Sequence, residues 1–231
     1  IKENNRADNI YFNDEVFGSD ISWLDEFETQ YKKEIGLPFY VEYNPRVINS
    51  AILKKLISAG LDTISFGIQT GSDYIRNQIF NRPGKNSEII KLANEIVSHN
   101  IKIKYELILD NPYETEHSLR DTIGFLLQLP KPLSFNLFSL QYFPNYPLTK
   151  KAVEDRHISP ERGSADTLIE TTTKKWCFVP RFLPYTNKQV LQNLIWLIVW
   201  NHAKDNIVRY AVFGNTPGSR LCLIYLNLKA I

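Results

Sequence analysis

The chain has no methionine, only two cysteines, a net charge of just +2 and no apolar run that could cross a bilayer. Each absence excludes something. The longest apolar stretch, VLQNLIWLIVW at 190–200, is too short and too interrupted for a membrane-spanning helix. Cys177 and Cys222 cannot make a disulfide framework, so a reducing compartment, the cytoplasm, is expected. A near-neutral balance makes no case for nucleic acid or another polyanion as partner. No charged leader followed by an apolar core stands at the start, so no secretory leader is expected. A natural chain of 231 residues ordinarily carries several methionines, and this one opens on Ile1. It reads as a segment of a longer protein, or as a sequence from which methionine positions are missing.

What is present describes a packed protein. Apolar residues make up 43% and aromatics 13%, enough for a substantial core and too much for a disordered chain. The length suits one large domain or two small ones.

Strand and helix patterns alternate through the first two thirds. NIYFND (9–14) reads as a short strand, and SWLDEFETQYKKEIG (22–36) as a helix with Trp23, Phe27 and Tyr31 four apart. PFYVEYN (38–44) is a strand, and SAILKKLISAG (50–60) a helix closed by Gly60. DTISFGIQ (62–69) is a strand, followed by a short helix near 72–80 and a longer one near 87–99. IKIKYELIL (101–109) is a strand, Thr115 can cap a helix to about Leu129, and LSFNLFSLQYF (133–143) is the last strand. This alternation predicts a parallel sheet with helices packed outside it. The rhythm stops after about Lys150. Residues 154–176 are polar and loop-like, one good helix runs near 187–203, and the tail is indistinct. The expected organisation is a barrel segment over 1–152 and a mainly helical C-terminal extension over 153–231.

The strands are two-faced. Side chains alternate across a strand, so Phe39, Val41 and Tyr43 oppose Tyr40, Glu42 and Asn44. Ile64, Phe66 and Ile68 oppose Thr63, Ser65, Gly67 and Gln69, while Ile103, Tyr105, Leu107 and Leu109 oppose Lys104, Glu106, Ile108 and Asp110. A sheet covered by helices on both sides reads as nearly continuous apolar runs; these strands do not. A curved sheet or partial barrel with a wet concave face, holding a ligand at the carboxyl ends of its strands, accounts for the pattern. A single polar residue in a strand is more often a paired structural group than a ligand contact, but the same asymmetry recurs in three strands.

Five segments, in order, carry a family resemblance: IYFNDEVF, VEYNP, LISAGLDTISFGIQTGSDYIRNQIFNR, YELILDNPYET and FSLQYFPNYPLTKKA. Together they resemble the radical SAM superfamily from its second barrel strand onward, across roughly residues 8–152. The nearest likeness is to the coproporphyrinogen-dehydrogenase-like and Elongator-like branches, and the organisation resembles that of members with a cobalamin-binding domain. The implied fold is α/β, a partial (β/α) barrel with strands two to six present. The implied cofactors are S-adenosylmethionine, a [4Fe–4S] cluster whose ligands lie outside this segment, and in the cobalamin-dependent branch cobalamin as well. By the same resemblance Gln69 contacts S-adenosylmethionine, Glu42 takes its amino or ribose end, and Glu106 its ribose hydroxyls. Arg82 meets its carboxylate, Asn13, Asp14 and Glu15 support its amine, and Leu140 touches the adenine. The implied activity is reductive cleavage to a 5′-deoxyadenosyl radical, serving methyl transfer or C–H activation. An electron donor such as a flavodoxin or ferredoxin is the expected partner. The substrate, small molecule or peptide, carries no signature.

The sequence departs from the family in three places. Asp110-Asn111 stands where the family has a glycine after the fifth strand, and Asn145-Tyr146 where it has Gly-Thr. The Cys-x-x-x-Cys-x-x-Cys loop is absent, and Cys177 and Cys222 cannot replace it; both read as buried structural thiols. His99, His117, His157 and His202 have no metal spacing and read as surface residues. Thr70-Gly71-Ser72 at a helix start could cradle a phosphate but lacks a fuller glycine pattern. FGNTPGSR (213–220) reads as a turn, Trp196, Leu197 and Trp200 as core or a domain contact, and Lys150-Lys151 and Lys174-Lys175 as solvated pairs. Two other readings compete: a β/α-barrel lyase or aldolase-type enzyme using Lys104 and Glu106, and a non-catalytic barrel binding a metabolite or a protein.

Overall fold

A computed structural model describes residues 7–14, 17–159, 186–200 and 202–229. Five strands form one sheet in chain order. They are β1 (Ile10–Tyr11), β2 (Phe39–Tyr43), β3 (Leu61–Gln69), β4 (Lys102–Leu109) and β5 (Phe135–Ser139). The first three pair in parallel, with Ile10 opposite Phe39 and Glu42 opposite Ser65. The helices between them are α1 (Ile21–Glu34), α2 (Ser50–Ala59), α3 (Asn86–Ser98) and α4 (Glu116–Leu126). A π-helical turn, Ile75–Ile79, stands before α3. After β5 come α5 (Pro147–Glu154), α6 (Asn187–Val199), α7 (Asp205–Phe213) and α8 (Pro217–Lys229). Sequential parallel strands joined by helices make this a partial β/α barrel with a helical C-terminal part.

Contacts divide the chain into two compact units. The first comprises Ile1–Ile68, Ser87–Glu106 and Leu129–Phe135. Its core is aromatic. The rings of Trp23, Phe27 and Tyr31 stack along α1, at 5.2 and 4.9 Å between neighbours. The fully buried Phe39 receives Phe27 and Tyr31 edge-on, at 5.7 and 5.2 Å. The four-residue spacing on α1 produces this stack, because such residues lie one above another on one helix face. Asn49 caps α2 by accepting from the Ala51 and Ile52 amides, and Gly60 closes it in the left-handed region at φ 115°.

The second unit comprises Gln69–Asn86, Leu107–Gln128 and Asn136–Ile231. Thr115 starts α4 with a reciprocal capping pair: its hydroxyl accepts from the Ser118 amide, and the Ser118 hydroxyl from the Thr115 amide. Leu119, Ile123 and Leu126 of α4 are buried. α6 packs on α4, and α7 and α8 pack on each other.

Several boundaries differ from the sequence pattern. β1 keeps only two residues, with one further ladder bond from the Phe12 amide to the Tyr40 carbonyl. β5 ends at Ser139, and PLTKKAVE forms α5 because Pro147 at its first turn has a preset φ and no amide to satisfy. Only residues 214–216 of the expected 213–220 turn stay outside helices, since Pro217 begins α8. The tail thus holds two helices that its weak periodicity concealed. Residues 160–185, with Cys177 and Lys174-Lys175, lie outside the described residues, as does Glu15. Cys222 is a free, half-buried thiol rather than a fully buried one. Trp200 is 56% exposed while Leu197 is buried. Among the described residues no helix is long and apolar enough to cross a membrane.

The aromatic core gives a direct expectation. Phe39→Ala removes a fully buried ring and costs about 3–5 kcal/mol in urea unfolding. Trp23→Ala, at a ring 45% exposed, costs less than half of that.

Candidate functional site

The two faces of the strands differ as their alternation requires. Phe39, Val41, Tyr43, Ile64, Phe66 and Ile68 are buried on one side. On the other side of the first unit, Tyr40, Glu42, Thr63, Gly67, Lys104 and Glu106 stay partly open, and only Ser65 is fully covered.

The open face is a linked set of oxygens. Glu42 and Ser65 are register partners on β2 and β3. The Ser65 hydroxyl lies 3.4 Å from Glu106 Oε1. The Tyr11 hydroxyl donates to Glu42 Oε1, and the Tyr11 ring stacks on Tyr40 at 4.4 Å. Burial pushes the Tyr40 phenol above its ordinary range; the Glu42 and Glu106 charges add to this, while hydrogen bonds to Ser65 and Tyr11 oppose it. The Tyr11 phenol is raised too, by burial first and then by its hydrogen bond to Glu42 and that carboxylate's charge. Both tyrosines therefore stay protonated across the physiological range, and Tyr11 acts as the donor to Glu42. Two carboxylates flanked by hydroxyls suit a ligand with an ammonium group or a pair of hydroxyls.

The second unit holds Gln69 at the end of β3, half-buried with a left-handed φ of 63°. That conformation is uncommon outside glycine, asparagine and aspartate. The turn after it is clamped on every side. The buried Arg76 guanidinium donates to the Thr70 carbonyl at 2.5 Å, to Asn86 Oδ1 at 2.6 Å and to Asp73 Oδ1 at 2.7 Å. Asn86 Nδ2 donates to the Gly71 carbonyl at 2.6 Å. The Gly71 amide donates to Thr122 Oγ1 and the Ser72 amide to Thr70 Oγ1, each at 3.1 Å. Those two amides are spent inside the protein, so this turn is not the phosphate cradle that its Thr-Gly-Ser composition allowed.

Glu114 stands beside this turn at 1% exposure. Burial pushes its carboxyl up to about 8, Asp110 adds to the shift, and Lys188 and the Thr70 hydroxyl oppose it. Its Oε2 has no hydrogen-bond partner among the described residues.

Asp110 and Asn145, which stand where the sequence resemblance expects glycine, sit where the backbone is left-handed, at φ 56° and φ 67°. Aspartate and asparagine tolerate that region better than other non-glycine residues. The replacement therefore keeps the turn and adds a side chain. Asp110 Oδ2 accepts from Ser139 Oγ at 2.8 Å.

Of the residues singled out from sequence, Glu42 and Glu106 share the open face of the first unit. Asn13 and Asp14 are exposed beyond β1 in the same unit. Gln69, Arg82 and Leu140 belong to the second unit and are half-buried; the Arg82 amide donates to the Arg76 carbonyl, and the Leu140 amide to the Leu109 carbonyl. All four histidines are exposed. Sequence reasoning passed over Tyr11, Arg76, Asn86 and Glu114. Tyr40 was visible in the alternation of β2, but nothing in the linear pattern marks a buried arginine or a carboxyl packed against a distant turn.

The model of the Radical SAM superfamily matches residues 20–126 of this chain. The cobalamin-dependent S-adenosylmethionine radical enzyme OxsB, with aqua-cobalamin and S-adenosylmethionine bound, superposes with TM-score 0.65 at 15% identity, over 100% of this chain and 44% of that one. The radical S-adenosylmethionine methyltransferase TsrM from Kitasatospora setae, with cobalamin and a [4Fe–4S] cluster, gives 0.57 at 13% identity, over 96% of this chain and 53% of that one. Coproporphyrinogen III oxidase (HemN) from Escherichia coli, a radical SAM enzyme, gives 0.51 at 20% identity, over 67% of this chain and 36% of that one. These likenesses support the fold, and the chain spans roughly half or less of each structure's length, 53% at most. No curated protein matches the chain.

The clamped turn predicts intolerance at Gly71. A Cβ there would lie 2.5 Å from Thr122 Cα and 3.0 Å from Phe125 Cβ. Gly71→Ala is expected to lower stability by about 1–3 kcal/mol in chemical denaturation, the usual cost of overpacking.

Proposed function

We propose that the intact protein is a radical SAM enzyme that binds S-adenosylmethionine on the open face of the sheet. The observation that carries this reading is the oxygen-rich face formed by Tyr40, Glu42, Ser65 and Glu106, on strands within the matched stretch 20–126. When bound, the cofactor supplies a 5′-deoxyadenosyl radical on reductive cleavage. Everything else concerns what this chain's residues do. Glu42 and Glu106 accept from the cofactor's ammonium or ribose hydroxyls, and Tyr11 fixes the Glu42 carboxylate by donating to it. Gly67, without a side chain, leaves room on the same face. Gln69 offers a carboxamide from a backbone held in one conformation, Arg82 a guanidinium for a carboxylate, and Leu140 an apolar surface for a base. Asn13, Asp14 and Glu15 support the amine end in this reading.

The iron–sulfur cluster does not fit this chain's own donors. Only two cysteines are present, and among the described residues no three His, Cys, Asp or Glu side chains gather to hold a metal. The ligands are therefore assigned outside this segment, and no step is derived through the cluster. Cobalamin is proposed as a further cofactor, with methyl transfer or C–H activation as the outcome, because two of the similar structures hold it. A flavodoxin or ferredoxin is the proposed electron donor, and the cytoplasm the proposed compartment.

The test is S-adenosylmethionine binding and 5′-deoxyadenosine release by the full-length protein, with iron and sulfide reconstituted and dithionite as reductant. Glu42→Ala and Glu106→Ala are each expected to weaken binding roughly 10- to 100-fold, the range for losing hydrogen bonds to a charged group. A full-length protein that neither binds the cofactor nor releases 5′-deoxyadenosine would overturn the reading. A Schiff base trapped on Lys104 by borohydride would replace it with the lyase reading.

A further inference from the structure

We propose that the cavity at the amino ends of β3 and β4 is a binding site for a small monoanion with an apolar body, of the aromatic carboxylate class, and that the Lys104 ammonium holds its charge. The site does not depend on S-adenosylmethionine being the cofactor.

The cavity lies within the first unit and measures about 510 Å³, inside the range of small-molecule sites. Thr63 of β3, the end of α3 with its loop, the first residues of β4 and residues 130–134 line it. Val97, Pro130, Pro132 and Leu133 supply apolar wall. Among the described residues no Asp or Glu lines it, whereas Lys102, Lys104 and Lys131 do.

The three cations are not equivalent. Lys102 is 73% exposed and donates to both carboxylate oxygens of Asp62, at 3.1 and 3.2 Å. Asp62 is held in place by the Thr63 hydroxyl, which donates to it at 2.6 Å. Lys131 has a partner as well. Lys104 is half-buried and, among the described residues, makes no hydrogen bond or ion pair. Glu106 shares its face but stands two residues, about 6–7 Å, along the strand, where it lies beside Ser65.

A lysine drawn out of water without a counter-ion is uncommon, and an anion in the cavity supplies the missing partner. One unpaired ammonium calls for one negative charge. That suits a carboxylate better than a phosphate dianion, whose several oxygens call for more charged donors. The exposed Ser134 hydroxyl on the cavity wall is a second donor. The apolar wall favours a ligand that buries hydrocarbon against it. In β/α barrels the chemistry sits at the opposite, carboxyl ends of the strands; the anion is held here with no bond made or broken.

Lysine footprinting of the full-length protein tests this, with 2-naphthoate as the probe, acetic anhydride as the label and peptide mass as the readout. At about ten times its Kd, 2-naphthoate is expected to slow acetylation of Lys104 roughly tenfold, as the unoccupied fraction falls. Lys54, exposed on α2, is expected to react at an unchanged rate. By calorimetry, Lys104→Met, which keeps the stem and removes the charge, is expected to raise the Kd roughly 10- to 100-fold, the range for losing a hydrogen bond to a charged group. Lys104→Arg keeps the charge, and Lys102→Met removes one already spent on Asp62; both are expected to stay within about threefold. Absence of protection at Lys104 in the native protein overturns the proposal, as does an unchanged Kd in Lys104→Met. Equal protection by neutral 2-naphthamide would deny the ammonium its role, and protection by inorganic phosphate alone would deny the apolar body; either overturns it. Displacement of 2-naphthoate by S-adenosylmethionine would make Lys104 a contact of that cofactor and overturn a second ligand. Protection that persists with S-adenosylmethionine bound, or in a protein that does not bind it, supports the site, and in the second case it stands while the functional reading falls.

Discussion

Ile103, Tyr105, Leu107 and Leu109 are buried on one side of β4, and the period of two then sends Lys104, Glu106 and Ile108 to the other side. The same constraint runs through β2 and β3. A sheet whose helices cover one face leaves polar groups on the other, and those groups must meet water, each other or a ligand. Tyr11 on Glu42, and Ser65 beside Glu106, show them meeting each other in part.

The strand ends obey a second constraint. Gln69 and Asp110 take positive φ at the ends of β3 and β4, and Asn145 does so in the loop before α5, a conformation that favours glycine. Where the sequence resemblance expects glycine, this chain has Asp110 and Asn145, the residue types that pay least strain there after glycine. Their side chains are then available for new contacts, as Asp110 makes with Ser139. Gln69 is a less tolerant residue in the same conformation, and the turn that follows it is held by hydrogen bonds to Arg76, Asn86 and Thr122. Arg76 is central to that arrangement. Its guanidinium spreads its donors over Thr70, Asp73 and Asn86, which a lysine could not reproduce.

Glu114 and Arg76 illustrate two ways of burying an ionisable group. Arg76 keeps its charge because three oxygens receive it. Glu114 has a hydroxyl beside it, an orphaned oxygen and a neighbouring carboxylate, so burial favours its uncharged form. Arg76 acts on the backbone of the turn after β3.

Much of this was legible in the linear chain. The alternation in PFYVEYN, DTISFGIQ and IKIKYELIL placed Glu42, Ser65 and Glu106 on one face because strand periodicity is local. The four-residue spacing of Trp23, Phe27 and Tyr31 placed one helix face for the same reason, and Thr115 and Gly60 marked helix ends by their own chemistry. The brevity of β1 and the helices formed by 147–154, 205–213 and 217–229 were not legible, since strand pairing and tertiary burial override weak local preference. Nor were the partners of Arg76 or the neutral state of Glu114. By itself the sequence determined which side chains share a face and where elements can begin and end, because those depend on neighbours a few residues away. Only the tertiary structure decided which buried charges are satisfied and which turn they hold, because desolvation and hydrogen bonding depend on groups tens of residues apart, as Thr70 and Thr122 are.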